Sequence, residues 1–148
     1  MNILRKNGGF TLVELIVVIA ILAILAGVAV PVYSGYINSA NEAADITACD
    51  AIKTAAMAAC ATTGEVEKIV ITSSSVKVTV NGSEIDLKPT TVTAGTPAAD
   101  FAVYYTSALP TFKTQVSSTS GKTVATTATW DNSSSAGADT KGQWVFSA

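Results

Sequence analysis

No histidine occurs in the 148 residues. That removes the Ser-His and Cys-His nucleophile pairs and the common zinc arrangements. No Gly-rich phosphate loop follows a strand pattern. Basic residues are few, nine against eleven acidic. Those beyond the first turns, Lys53, Lys68, Lys77, Lys88, Lys113, Lys122 and Lys141, stand singly, whereas a nucleic-acid surface needs them clustered. There are two cysteines, Cys49 and Cys60, 11 residues apart in an Ala-rich helical stretch. On a helix that is about 16 Å, and a disulfide needs Cα atoms roughly 4.4–6.8 Å apart. The spacing is close to three turns, so both thiols share a face and read as small core residues. Without histidine they make no metal set. The carboxylate pairs Glu65/Glu67 and Glu84/Asp86 sit two apart on strands or loops and read as solvated faces. The loop from Asp131 to Asp139 offers oxygen ligands, but its spacing matches no calcium loop and it reads as a turn. Of two Asn-x-Ser sequences, Asn81-Gly82-Ser83 is explained by a hairpin turn, and Asn132-Ser133-Ser134 fits a modifiable surface loop or, more simply, a chance occurrence. No catalytic residue, cofactor or metal is expected.

What the chain does have is one long apolar run. From Leu15 to Val32 there are 18 residues without a charged or polar side chain. About 20 residues at 1.5 Å rise cross the hydrocarbon core of a bilayer. The run is too long for an ordinary secretory signal, and no small-residue cleavage site ends it. Arg5 and Lys6 precede it, which places the N-terminus in the cytoplasm. Tyr33 and Tyr36 are placed as interfacial anchors or as packing residues against a neighbouring subunit. One carboxylate, Glu14, stands at the N-terminal edge. Inside a bilayer such a group costs roughly 2.5–3.5 kcal/mol, so its presence points to a function.

The pattern predicts a helix from Phe10 or Thr11 to about Thr62. Pro31 has no N–H for the carbonyl of Gly27, and glycine is a weak helix former, so the helix is softened between them. From Tyr36 the run becomes amphipathic. Ile37, Ala40, Ala44, Ala48, Ala51, Ile52, Ala55 and Ala59 trace an apolar face. Asn41, Glu42, Asp45, Asp50 and Lys53 supply polar positions. Such a helix would be about 80 Å long, and half would project beyond any domain of this size. A projecting apolar rod needs a bilayer or other copies of itself.

Gly64 ends the helix. Beyond it the composition turns to Thr, Ser and Val. Strands are expected over Lys68–Ile71, Val76–Val80 and Ser83–Lys88, with Asn81-Gly82 as a two-residue hairpin turn. The segment from Pro97 to Leu109 leans to a short helix, with Pro97 at its first position and Asp100 in its first turn. A final hairpin pairs Lys122–Trp130 with Gln143–Phe146 across the loop Asp131 to Gly142. Trp130, Trp144, Phe146, Phe101 and Tyr104 are the expected large core residues. The fold class is α+β: one long helix packed on a small antiparallel sheet of about four strands.

The segment Arg5-Lys6-Asn7-Gly8-Gly9-Phe10-Thr11-Leu12-Val13-Glu14 resembles the class III signal of the type IV pilin family. The resemblance covers about the first 35 residues. It implies a leader over 1–9, a transmembrane or filament-core half-helix over 10–35, an amphipathic half over 36–63 and a β-sheet domain, the pilin fold, over 64–148. It implies cleavage by a prepilin peptidase between Gly9 and Phe10, and N-methylation of Phe10. Glu14 takes the place of the family's glutamate, and Gly27 with Pro31 that of its helix-softening pair, as assembly residues. Many Gram-negative pilins close their C-terminal loop with a cysteine pair. No cysteine follows Cys60 here, which leans to Gram-positive, clostridial-type relatives.

The function so implied is a structural one. The subunit waits in the cytoplasmic membrane, is extracted by an assembly ATPase and platform, and joins a homopolymeric extracellular filament for adhesion, aggregation or twitching motility. A type II secretion pseudopilin or a competence pilin shares the whole N-terminal reading. A monomeric membrane-anchored surface binding domain is the rival of another class.

Overall fold

The computed structural model describes residues 9–88, 93–118 and 121–148. The expected leader therefore lies outside the described residues, except for Gly9. The chain divides into two units, through Ile37 and from Asn38 onward.

In the first unit, helix α1 (Leu12–Cys60) begins two residues after Phe10. Every described residue from 9 to 37 is exposed. Fourteen large apolar side chains lie uncovered between Leu12 and Val32. Covering a Val, Leu or Ile fully is worth about 1.5–3 kcal/mol, whereas a whole domain is stable by about 5–15 kcal/mol. This face therefore has to be covered by something other than water. The helix is unbroken through Gly27 and Pro31. Ser34 Oγ donates to the Pro31 carbonyl at 2.8 Å.

In the second unit, the remainder of α1 packs on a five-stranded antiparallel sheet. Its strands are β1 (Val66–Thr72), β2 (Val76–Val80), β3 (Ser83–Asp86), β6 (Thr127–Asp131) and β7 (Trp144–Ser147), in the order β3-β2-β1-β6-β7. Cross-strand register aligns Ile85, Val78, Ile69, Trp130 and Trp144 in one row. Val76, Ile71, Ala128 and Phe146 form a second row. These rows belong to the hydrophobic core, together with Cys49, Ile52, Ala55, Ala56, Ala59 and Cys60 of the helix. Period-2 alternation places Lys77, Thr79, Lys68, Val70 and Thr129 on the other face.

Several expectations are corrected here. The sheet has five strands, one more than the rough count. The single strand expected over Lys122–Trp130 is two. β5 (Gly121–Val124) pairs with β4 (Gln115–Ser118) in a separate ribbon, and β6 begins at Thr127. Between them, the Ala125 N–H donates to the Thr114 carbonyl and the Thr126 N–H to Ser147, so the chain changes partner at that dipeptide. Helix α2 (Pro97–Tyr104) forms as expected, with Pro97 at its start. Phe101 is fully buried, but Tyr104 is 59% exposed. Tyr105 packs inward instead, stacked on Phe101 with ring centroids 5.6 Å apart. α1 ends at Cys60, two residues before the expected end.

Candidate functional site

The N-terminal site is built by local rules. Gly9, Phe10 and Thr11 precede the helix. Thr11 caps it. The Thr11 N–H and hydroxyl both donate to Glu14 Oε2 at 2.8 Å, and the Glu14 N–H donates to Thr11 Oγ1 at 3.2 Å. This is the reciprocal capping box, in which side chains satisfy helix-end donors that have no partner within the helix. Glu14 Oε1 has no partner among the described residues. Phe10 is 93% exposed, so the Gly9–Phe10 bond is followed by an uncovered ring. Phe10, Val13, Glu14, Leu15, Val17 and Val18 line a shallow, open recess of about 570 Å³. Thr11 was not among the expected site residues, yet Thr-x-x-Glu before an apolar run is a readable signal.

Gly27 and Pro31 lie on the same uncovered helix. A Cβ at Gly27 would meet nothing within 4 Å, so no contact within the subunit requires glycine there. Phe10 and Glu14 line the same recess at the start of α1, Gly9 directly precedes Phe10, and Gly27 and Pro31 lie further along the helix.

A second polar constellation, missed in the sequence, locks the helix to the β domain. Asp45 is buried, and its Oδ2 accepts the Lys113 N–H at 2.7 Å, the Thr114 N–H at 2.8 Å and the Thr114 hydroxyl at 2.7 Å. Two turns earlier, Asn38 Oδ1 accepts the Gln115 N–H at 3.1 Å. The inward stripe thus runs Asn38, Asp45, Cys49, Ile52, Ala56, Ala59. The expected apolar face through Ile37, Ala40, Ala44 and Ala51 points outward, because all four are exposed. Lower down, Asp50 accepts the Trp144 indole N–H at 2.8 Å. The Lys53 ammonium sits 4.3 Å from the centre of the Trp130 ring, within cation–π range.

Both thiols are buried and free. Burial first, then the charges of Asp45 and Asp50, push the Cys49 thiol up to about 12. Burial also raises Cys60. In the C-terminal loop, the Ser133 hydroxyl and N–H donate to Asp131 Oδ1 at 2.7 and 2.9 Å. Those bonds hold the Asp131 carboxyl below its usual range, with a smaller contribution from Lys68. Its Oδ1 is thus engaged by the loop's own groups, and its Oδ2 faces the Lys68 ammonium of β1 at 3.6 Å. Three further carboxylates have structural partners: Glu67 meets the Gly82 N–H, Glu84 the Lys77 ammonium and Asp86 the Lys88 N–H.

Residues 4–30 match the family described as the prokaryotic N-terminal methylation motif. No curated protein and no solved structure matches the chain. The chain carries the class III signal of type IV pilins, at the end of a helix long and apolar enough to cross a membrane. In that segment the chain is similar to the start of type IV pilin-like and pseudopilin-like precursors.

Proposed function

We propose that the chain is the precursor of a type IV pilus subunit. A prepilin peptidase cuts between Gly9 and Phe10 and the new Phe10 amine is methylated. Assembly machinery, an ATPase with a membrane platform, then moves the subunit from the cytoplasmic membrane into an extracellular filament of like subunits. The single observation that carries this reading is the uncovered apolar first half of α1, which starts three residues after the motif's glycine and has Glu14 as its one charge between Leu12 and Ile37. In the bilayer, lipid covers Leu15 to Val32. In the filament, the same face is covered by other copies, so the apolar surface never meets water. Glu14 Oε1 is available to a neighbouring subunit's Phe10 amine, and pairing offsets two charges that are each costly alone in an apolar setting. Gly27 and Pro31 let the helix adjust locally while it is repacked. The Thr- and Ser-rich sheet domain forms the outer surface, where adhesion, aggregation or motility contacts are made.

The test is Glu14→Ala expressed in the native host. The expected result is unchanged precursor in the membrane with loss of the protein from the sheared surface fraction. A sheared fraction unchanged by the substitution would overturn the role of Glu14 in assembly, and absence of the parent protein from that fraction would favour a monomeric anchored surface domain.

A further inference from the structure

The turn between β2 and β3 joins Asn81 to Gly82. Both residues are exposed, and both have positive φ, 50° and 74°. An asparagine followed by glycine is open to attack by the next backbone nitrogen, because glycine has no side chain to block the approach. A Cβ at Gly82 would meet nothing within 4 Å, so the surroundings give no steric protection either. Two contacts restrain the pair instead. β1 carries a bulge between Val66 and Lys68, which places the Glu67 carboxylate beside the turn, where Oε2 accepts the Gly82 N–H at 3.3 Å. The Asn81 amide lies over the end of α1, with Nδ2 3.5 Å from the Thr63 carbonyl oxygen.

We propose that Asn81 is a site of spontaneous deamidation, held in its amide form by the Glu67–Gly82 hydrogen bond. In the reaction the Gly82 nitrogen attacks Asn81 Cγ and forms the N–C bond of a cyclic imide. The Cγ–Nδ2 bond breaks, and ammonia leaves carrying the proton lost from Gly82. Water then opens the imide at one of its two carbonyls, giving aspartate or isoaspartate. Attack requires Gly82 to lose its proton and builds negative charge on its nitrogen. Glu67 opposes this in two ways. Its carboxylate holds the proton in a hydrogen bond, and its charge disfavours a second anion alongside. The product has a chemical consequence at the helix end. A donor facing the Thr63 carbonyl becomes an acceptor, and the turn loses its contact there.

The experiment uses the full chain in detergent micelles at mildly alkaline pH. Peptide mass spectrometry follows conversion at position 81 over days, with circular dichroism confirming the fold of each sample. The chain unfolded in urea supplies the unrestrained rate. Glu67→Gln keeps the side chain's size and removes its charge. It should convert roughly three- to tenfold faster than the parent, equivalent to about 0.7–1.4 kcal/mol of barrier. The parent should convert more slowly than the urea-unfolded chain. A folded Glu67→Gln chain that converts at the parent rate or slower overturns the restraint, and no conversion in urea overturns the site. If Glu67→Gln unfolds, Glu67→Asp, which draws the carboxylate back from Gly82, is read by the same rates.

Discussion

The Asp45 carboxylate accepts both the backbone N–H and the hydroxyl of Thr114, at 2.8 and 2.7 Å, across 69 residues of chain. With the Lys113 N–H added, a single buried oxygen terminates three donors. This places a charged residue where a helix–sheet interface would otherwise be apolar, and it fixes which turn of α1 meets the segment leading into β4.

Removing that acceptor leaves buried donors unpaired. Asp45→Ala should destabilise the fold by about 2–4 kcal/mol, since each unsatisfied buried group costs about 1–3 kcal/mol and part of this is recovered by water. Asp45→Asn keeps a carbonyl acceptor and should lose less. Denaturant unfolding of the full chain in detergent measures both. Equal losses would mean that shape, rather than hydrogen bonding, holds the segment.

Two glycines should behave oppositely. Gly64 has φ 149°, and a Cβ there would fall 2.6 Å from Asn81 Nδ2 and 2.9 Å from Val80 Cγ1. Gly64→Ala should therefore cost about 1–3 kcal/mol in the same unfolding measurement. Gly27→Ala meets open space in the subunit and should leave its stability unchanged. Any effect at Gly27 should be seen in the yield of surface filaments.

The thiols give a pH signature. In the folded chain Cys49 ionises near 12, against its ordinary 9.0. In the unfolded chain it ionises first as pH rises. The stability contributed by keeping it neutral is thus complete below about pH 9 and declines from there towards 12. At pH 8 neither thiol should react with a maleimide until denaturant is added. Rapid labelling of the native chain would show that the core around Ile52 and Phe101 opens.

Much of this was legible in the sequence, and what was missed has physical causes. The motif around Gly9, Phe10 and Glu14, the apolar run and the Asn81-Gly82 turn are local signals, read from contiguous residues. The lower part of the inward face, Ile52, Ala55 and Ala59, agrees with the expected one, but the upper turns differ because they use Asn38 and Asp45, whose inward pointing depends on backbone donors more than 65 residues away. No apolar periodicity marks such a face. β5 and β6 were merged because Lys122 to Trp130 is a uniform Thr, Val and Ala pattern. The break at Ala125-Thr126 comes from exchanging hydrogen-bond partners, which leaves no mark in composition. Tyr104 and Tyr105 are neighbours of identical type, and the exit of the chain from α2 decides which one turns inward.

The proposed fate of the chain is cleavage before Phe10 and assembly through α1 into a surface filament. Mass spectrometry of the N-terminal peptide, from protein sheared off the cell surface, tests it most directly. The account predicts a peptide that begins at Phe10 and is heavier by one methyl group. Recovery from membranes alone, with residues 1–9 still attached, would contradict it.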